Sequence, residues 1–413
     1  MASMATQAID TSTCGRCGMP LAYDRVISPR SNEAGRDGSL CSFCQDPKNH
    51  ASGSSDLPED HSLALRLALK VYAKGGGRWQ SLARFASKLP LLTAQVRTLA
   101  RMLGQIPRKS PDSRYDAVVL FSGGKDSSYM LLELSKLDLR LCAWMLSQGY
   151  QSPTAINNAR MLCDKIGVPL MIEEPERKKM DNLFRLGFGI TNDDTPDMVR
   201  AVMTYGSACW PCFATIAARA TSFCEENRIP FCFIGTQSGQ NRLDVGGRPA
   251  FAGVLPKSED LVSKFVDPLR DRVAQDAPES AGLLARLRCS TLLIPYYEFV
   301  PKPEVHRQLE ILKDVGWSMP TNTGACSTNC MINELGRHIM RRRFGFDLYQ
   351  VIEAHERRMG KRGAGPAVGA GGTPAVLDTE SILRASRMIK LSAEEIAGFE
   401  VPVATPELAK DHT

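Results

Sequence analysis

No apolar run in these 413 residues approaches the ~18 that a membrane-spanning helix needs, which excludes a helical span. The stretch Met1–Thr13 has neither an apolar h-region nor an arginine. That argues against a secretory or organelle signal, and for a cytoplasmic location with no membrane partner. No repeat recurs at a fixed period, so a solenoid is not expected. The Gly-x-x-x-x-Gly-Lys-Ser/Thr pattern of the common P-loop is missing. No Cys-His-Glu glutaminase domain is apparent, so ammonia, if the chain uses it, must come from another protein.

What is present reads as an ordinary globular composition with an unusual use of cysteine. Hydrophobic content of 43% and charged content of 23% support a sizeable core. The length suggests roughly two to three domains. A net charge of +6 suits anionic substrates and does not by itself indicate nucleic acid. Thirteen cysteines in a chain expected in a reducing compartment point to metal or catalysis rather than disulfides.

The sharpest local signal is Phe121-Ser122-Gly123-Gly124-Lys125-Asp126-Ser127-Ser128. A buried-strand run, Ala117 to Phe121, leads in, and a helix-like run from Tyr129 leads out. Strand, small-residue loop and helix form a phosphate cradle, because glycines let backbone N–H groups close on an anion. The helix N-terminus adds its free N–H groups and positive dipole end. Ser122, Ser127 and Ser128 supply hydroxyls and Lys125 a charge, and Asp126 can hold Mg²⁺.

Around this loop the pattern alternates. Expected strands are Ala117–Phe121, Leu139–Leu146, Val168–Glu173, Pro230–Gly235 and Ser290–Tyr296, with helices such as Pro153–Ile166 and Pro211–Asn227 between them. That alternation implies a doubly wound, mostly parallel sheet with ligands at the carboxyl ends of its strands. Upstream, residues 59–107 read as two helices, with Leu63, Leu67 and Val71 on one face of the first. Leu92, Val96, Leu99 and Leu103 share a face of the second. Gly363–Gly372 reads as a flexible linker, and Ser392 with Glu395 as a capping box on a last short helix.

Three cysteine sets carry chemistry. Cys14-x-x-Cys17 and Cys41-x-x-Cys44 offer four thiolates, the closed tetrahedral set of a structural Zn²⁺ site. A rubredoxin-like iron site and a redox dithiol pair are the alternatives. Cys209-Trp-Pro-Cys212 opens a helix, where thiolate is favoured. Cys326 and Cys330 lie in a later loop. Cys209 and Cys212 with Cys330, or with Cys326 instead, can hold a [4Fe–4S] cluster with one iron free of protein ligand, open to hydrosulfide. A second zinc site, thiol chemistry without metal, and plain core packing stay open. Cys142, Cys163, Cys224, Cys232 and Cys289 read as small core residues.

The loop resembles the Ser-Gly-Gly-x-Asp-Ser motif of the PP-loop superfamily, the N-type ATP pyrophosphatases of adenine nucleotide α-hydrolase-like type. Four elements in order are similar to its N-acetyl sugar amidotransferase branch: the Cys-rich module, the loop, Ala208-Cys-Trp-Pro-Cys212, and Ser327-Thr-Asn-Cys330-Met-Ile-Asn333. Phe344-Gly-Phe-Asp-Leu-Tyr349 fits that branch too. The cysteine arrangement also resembles the iron–sulfur tRNA thiolases, although Gly235-Thr236-Gln237 departs from their Gly-His-Asn-like sequence. The resemblance implies a PP-loop ATPase, HUP-like fold with a zinc-ribbon-like module. Its divisions would be residues 1–50 (four-Cys zinc module), 51–110 (linker and helices), 111–350 (ATP pyrophosphatase domain) and 351–413 (helix, Gly-rich linker and tail).

By the same resemblance, Ser122, Gly123, Gly124, Lys125, Asp126, Ser127 and Ser128 would bind ATP phosphates with Mg²⁺. Met145 to Gln148 would flank adenine, Asn157 or Asn158 would lie near the nucleotide, and Gly235 and Thr236 would line the opposite side. The implied reaction is adenylation of a carbonyl or amide oxygen of a small molecule or sugar, then its replacement by sulfur from a donor. The rival reading uses ammonia from a partner glutaminase. A tRNA acceptor is less favoured, since aromatics do not interleave with the basic runs Arg341–Arg343, Arg357-Arg358 and Lys361-Arg362. A nonenzymatic nucleotide- or metal-binding protein is the third reading, and a homodimer is left open. His306, His338 and His355 stand alone. His338 is the candidate acid or base, against the blander reading of a satisfied histidine.

Overall fold

Ala117–Leu120 has no polar side chain to offer solvent, and the structure covers it on both faces. The computed structural model describes residues 10–27, 39–45, 61–75, 79–236, 254–288, 290–324, 326–358 and 376–402. Cys289, Gln237 and the Gly363–Gly372 linker lie outside them. Five strands form one all-parallel sheet: β1 (Ala117–Leu120), β2 (Leu141–Leu146), β3 (Leu170–Glu173), β4 (Phe231–Ile234) and β5 (Leu292–Pro295). Each lies inside the run expected for it. The spatial order is β3-β2-β1-β4-β5, with Val119 in register with Ala143 on one side and Phe233 on the other.

Helices precede, connect and follow the strands. First come α1 (Leu21–Ile27), α2 (Ser42–Gln45), α3 (Ser62–Ala73), α4 (Gln80–Ala86) and α5 (Ala94–Gln105). Then follow α6 (Lys125–Ser135), α7 (Pro153–Ile166), α8 (Arg177–Gly189), α9 (Pro196–Tyr205), α10 (Cys209–Glu226) and α11 (Ser258–Asp276). After β5 come α12 (Tyr296–Phe299), α13 (Val305–Asp314), α14 (Asn333–Phe344), α15 (Leu348–Arg358), α16 (Thr379–Met388) and α17 (Ala393–Gly398).

Because successive side chains of a strand point to opposite faces, the sheet splits the core in two. Val118, Leu120, Cys142, Trp144 and Cys232 pack with α8–α10, α14, α16 and the four N-terminal cysteines. Ala117, Val119, Ala143, Phe231 and Phe233 pack with α3, α6 and α7. Cys142, Cys163, Cys224 and Cys232 are buried, as their apolar surroundings require. The capping box forms at Ser392 and Glu395, and Arg185 ties that turn down by donating to Glu395 (2.8 Å).

The upstream helices depart from expectation. Among the described residues there are three, not two, and α3 buries Leu65, Ala68, Leu69 and Tyr72 while Leu63 and Leu67 face outward. Apolar residues occupy both sides of this helix, and the sheet covers one of them. Periodicity alone does not say which.

Candidate functional site

The chain runs from β1 outward to β2 and β3, then returns to β4 on the other side of β1. Connections that part in opposite directions leave a crevice at the carboxyl ends of β1 and β4. The Ser122–Ser128 loop lies at that crevice. Gly123 sits at φ +70°, and a Cβ there would come 1.9 Å from the Ala155 carbonyl oxygen. Only glycine fits both constraints. Trp317 donates its indole N–H to the Gly123 oxygen (2.9 Å). Ser127 donates to the Gly124 oxygen (3.2 Å) and accepts from the Ser122 amide (3.2 Å), so it braces the turn from within. Ser128 is fully buried, and its hydroxyl has no hydrogen-bond partner among the described residues. Gly235 packs over Ser127 from the end of β4, and Thr236 beside it is buried. On α7, Asn157 faces solvent, while buried Asn158 donates to the Ser318 oxygen (2.7 Å).

Asp126 organises the cations. Its Oδ2 accepts from Lys125 (2.8 Å), and its Oδ1 accepts from Lys302 (2.7 Å) and from Gln308 (3.1 Å). Burial pushes the Asp126 carboxyl up, but Lys302 and Lys125 outweigh it and hold the group below the usual carboxylate range. Burial pulls the Lys302 ammonium down, with Asp126 opposing and Lys125 adding. Tyr297 donates to the Asp126 backbone oxygen (2.6 Å). Sequence reasoning missed Lys302, Gln308, Tyr297 and Trp317. The one available signal, Pro301-Lys302-Pro303 after a buried run, is weak. The Mg²⁺ role expected of Asp126 does not fit this arrangement, since a cation there would have to displace two lysines.

A second loop joins the first to the thiols. Thr328 Oγ1 accepts the Lys125 amide (3.0 Å), so residues 327–330 lie against the start of α6. The same segment is pinned to the loop after β2: Ser152 donates its N–H to Asn329 O, and Met331 its N–H to Tyr150 O, both at 2.8 Å. Cys330 thereby comes to Cys209 and Cys212 in the first turn of α10. Burial pushes Cys212 well above the ordinary thiol range, with Cys330 and Cys209 adding to it. Burial, then Cys209, pushes Cys330 up to about 12. Cys326 has Arg337, Asp347, Glu334 and Arg341 as its charged neighbours. Cys209, Cys212 and Cys330 thus influence one another electrostatically, while Cys326 and Cys209 both act on Tyr349. Asn333 donates to Cys209 Sγ (3.4 Å), and Gln148 reaches Cys330 Sγ at 4.0 Å. The helix N-terminus does not lower the Cys209 thiol as expected, because burial raises it more.

Among the described residues, the tight thiol group is the N-terminal one. The sulfurs of Cys14, Cys17, Cys41 and Cys44 are buried and all lie within 4.8 Å of one another. An ion with Zn–S bonds of about 2.3 Å holds tetrahedral thiolates about 3.8 Å apart. The Cys17–Cys41 sulfur separation is 3.7 Å, so these residues can hold a metal ion such as zinc. Arg358 donates to Cys17 Sγ (3.3 Å) and Cys41 Sγ (3.1 Å) and stacks over Phe43. Such N–H···S bonds complement a tetrathiolate's negative charge. The described residues of the basic C-terminal runs pair within the chain, Arg341 with Asp347, Arg342 with Glu400 and Arg357 with Glu353, while Lys361 and Arg362 lie outside the described residues. His338 is spent too, its Nε2 lying 3.1 and 3.0 Å from the Phe399 and Glu400 oxygens, where it anchors the C-terminal turn.

No family model matches the chain, and no curated protein matches it. Among solved structures there is similarity to a chain described as a predicted subunit of tRNA methyltransferase from Methanocaldococcus jannaschii. Identity is 16% and the TM-score 0.26, over 57% of this chain and 90% of that one. No described helix is long and apolar enough to cross a membrane.

Proposed function

We propose that the protein is a PP-loop ATP pyrophosphatase that activates a carbonyl or amide oxygen of a small molecule or sugar and replaces it with sulfur. One observation supports this reading. Thr328 accepts the first amide of α6, and two residues later Cys330 is electrostatically coupled to Cys212 and Cys209, so the loop and the thiols are near enough to serve one reaction.

In this reading the substrate oxygen attacks the α-phosphorus and pyrophosphate leaves. Lys125 and Lys302, oriented by Asp126, neutralise the charge that develops on the phosphates. The positive dipole end of α6 adds to it. Gly235 and Thr236 close the opposite wall. Attack on the adenylated carbon then expels AMP, which carries the oxygen away. Cys209, Cys212 and Cys330 fit a cluster better than a single ion, because they are neighbours without being gathered as tightly as the N-terminal four. A [4Fe–4S] cluster, when bound, would supply the sulfur site. Asn333 and Gln148 would then donate N–H to its thiolates.

The test is metal and product analysis of anaerobically purified protein. Iron with matching acid-labile sulfide, about one zinc, and conversion of ATP to AMP and pyrophosphate are expected. Formation of ADP would overturn the reading. Zinc alone with full AMP formation would replace sulfur by ammonia from a partner glutaminase.

A further inference from the structure

Between His61 and Pro111 the chain carries ten lysines and arginines and not one Asp or Glu. The whole chain is only +6, so the remainder is acidic on balance and the cations concentrate on α3–α5. Two of the ten serve the main domain: Arg66 pairs with Glu133 and Lys109 with Asp116.

The same segment turns large apolar side chains outward. On α3, Leu63 and Leu67 alternate with Arg66, Lys70 and Lys74 on the exposed face. On α4 the stripe Trp79, Leu82, Phe85 is exposed by 53%, 60% and 63%, and Leu91 just beyond it by 94%. Residues three apart share a helix face, so this is one stripe. Helix α4 buries Ala83 alone and is held to α5 from behind by Arg84, which donates to the Gly104 oxygen (2.8 Å). The helix is amphipathic with its apolar side toward solvent.

We propose that α3–α5 is a peripheral docking face for an anionic lipid bilayer. Charge complementarity selects the occupant's sign: a segment with ten cations, two of them paired with the main domain, and no carboxylate of its own repels a second copy of itself and attracts phosphate headgroups. The exposed side chains select its other half. Leu63, Leu82 and Leu91 have no π-face for a nucleobase to stack on, whereas Leu, Phe and Trp beside Lys and Arg are what an interfacial helix inserts below the headgroups. Long lysine and arginine stems can reach up to phosphate while the helix lies in the plane. This needs no membrane span, and it is independent of the chemistry proposed for the crevice.

The full-length protein carries its own probe. Trp144, Trp210 and Trp317 are at most 5% exposed, so the solvent-sensitive emission belongs to Trp79. Vesicles of neutral phosphatidylcholine, and vesicles with about a third phosphatidylserine, would be titrated into the protein while emission and co-sedimentation are followed. A blue shift and co-sedimentation with the anionic vesicles alone are expected. Both should weaken at least about tenfold in 0.5 M salt and in the double variant Leu82→Ser, Phe85→Ser, whose thermal unfolding should match the parent. The shift should vanish in Trp79→Phe while sedimentation persists. Absence of binding to anionic vesicles overturns the proposal, as does unaltered binding by the double variant. Tighter binding of an RNA oligonucleotide that displaces the vesicles also overturns it, in favour of a nucleic-acid face. A blue shift that grows with protein concentration alone would assign the face to a second copy.

Discussion

Asp126 shows how one carboxylate can order the cations around a loop. With a lysine on each oxygen, it holds two ammonium groups at the mouth of the loop. Asp126→Asn keeps the shape and removes the charge that aligns them. AMP formation should fall about 10²- to 10³-fold, with a much smaller loss of thermal stability. Measured turnover within a factor of a few of the parent would detach Asp126 from the chemistry. Gly123→Ala makes the complementary case, because there the backbone is at stake. A Cβ would meet the Ala155 oxygen at 1.9 Å in a left-handed conformation, so stability should drop by at least about 1–2 kcal/mol in urea unfolding, with the loop displaced. The loop itself was legible in the sequence because its requirements are local: glycine where φ is positive, small hydroxyls where the turn must be braced. Lys302, Gln308, Tyr297 and Trp317 were not legible. They reach the loop from beyond β5, and only tertiary packing decides which lysine of a polar stretch turns inward.

At the scale of elements, the strands were readable since each is a short apolar run with a helical pattern on either side. Their order in the sheet, β3-β2-β1-β4-β5, leaves a crevice at the carboxyl ends of β1 and β4. The α3 face was misread for a physical reason: an apolar residue at helical spacing marks a face, and a helix with two such faces leaves the choice to its neighbours. Spacing likewise could not choose between Cys326 and Cys330. Cys326 adjoins a buried ion network, where fully buried Arg337 donates to Glu334 (2.9 Å) and Asp347 (3.2 Å). Glu334 also accepts the Asp378 amide (2.9 Å) and packs on Gly324, where φ is +73°. Arg337→Met fills the space but leaves buried Glu334 without its guanidinium and Asp347 with Arg341 alone. It should cost about 3–5 kcal/mol in denaturant unfolding, far more than Arg342→Met on the surface. Equal small losses for both would show that the network does not hold the loop.

For the molecule as a whole, the four N-terminal thiols are part of the main core and not an appendage. Cys14, Cys17, Cys41 and Cys44 share one buried cluster with Met19, Leu21, Tyr23, Trp144 and the helices around α10. Tyr23 meets Phe346 edge-on and pairs with Thr204 Oγ1 at 3.3 Å. Helix α15 spans the distance between the two cysteine groups: Arg358 at one end donates to Cys17 and Cys41, and Tyr349 at the other donates to Asn333, which in turn donates to Cys209. Removing a metal ion from the four thiolates leaves them to take up protons, which ends their attraction for Arg358 and strands its guanidinium over Phe43. A strong chelator should therefore lower the main unfolding transition by calorimetry, reversibly on adding zinc, rather than melt a separate small unit. Arg358→Ala should weaken metal retention about 10- to 100-fold in chelator competition while leaving the thiols in place. A main transition untouched by chelator, preceded by a small one of its own, would mean that the thiol module folds independently and that α15 carries no coupling between the two cysteine groups.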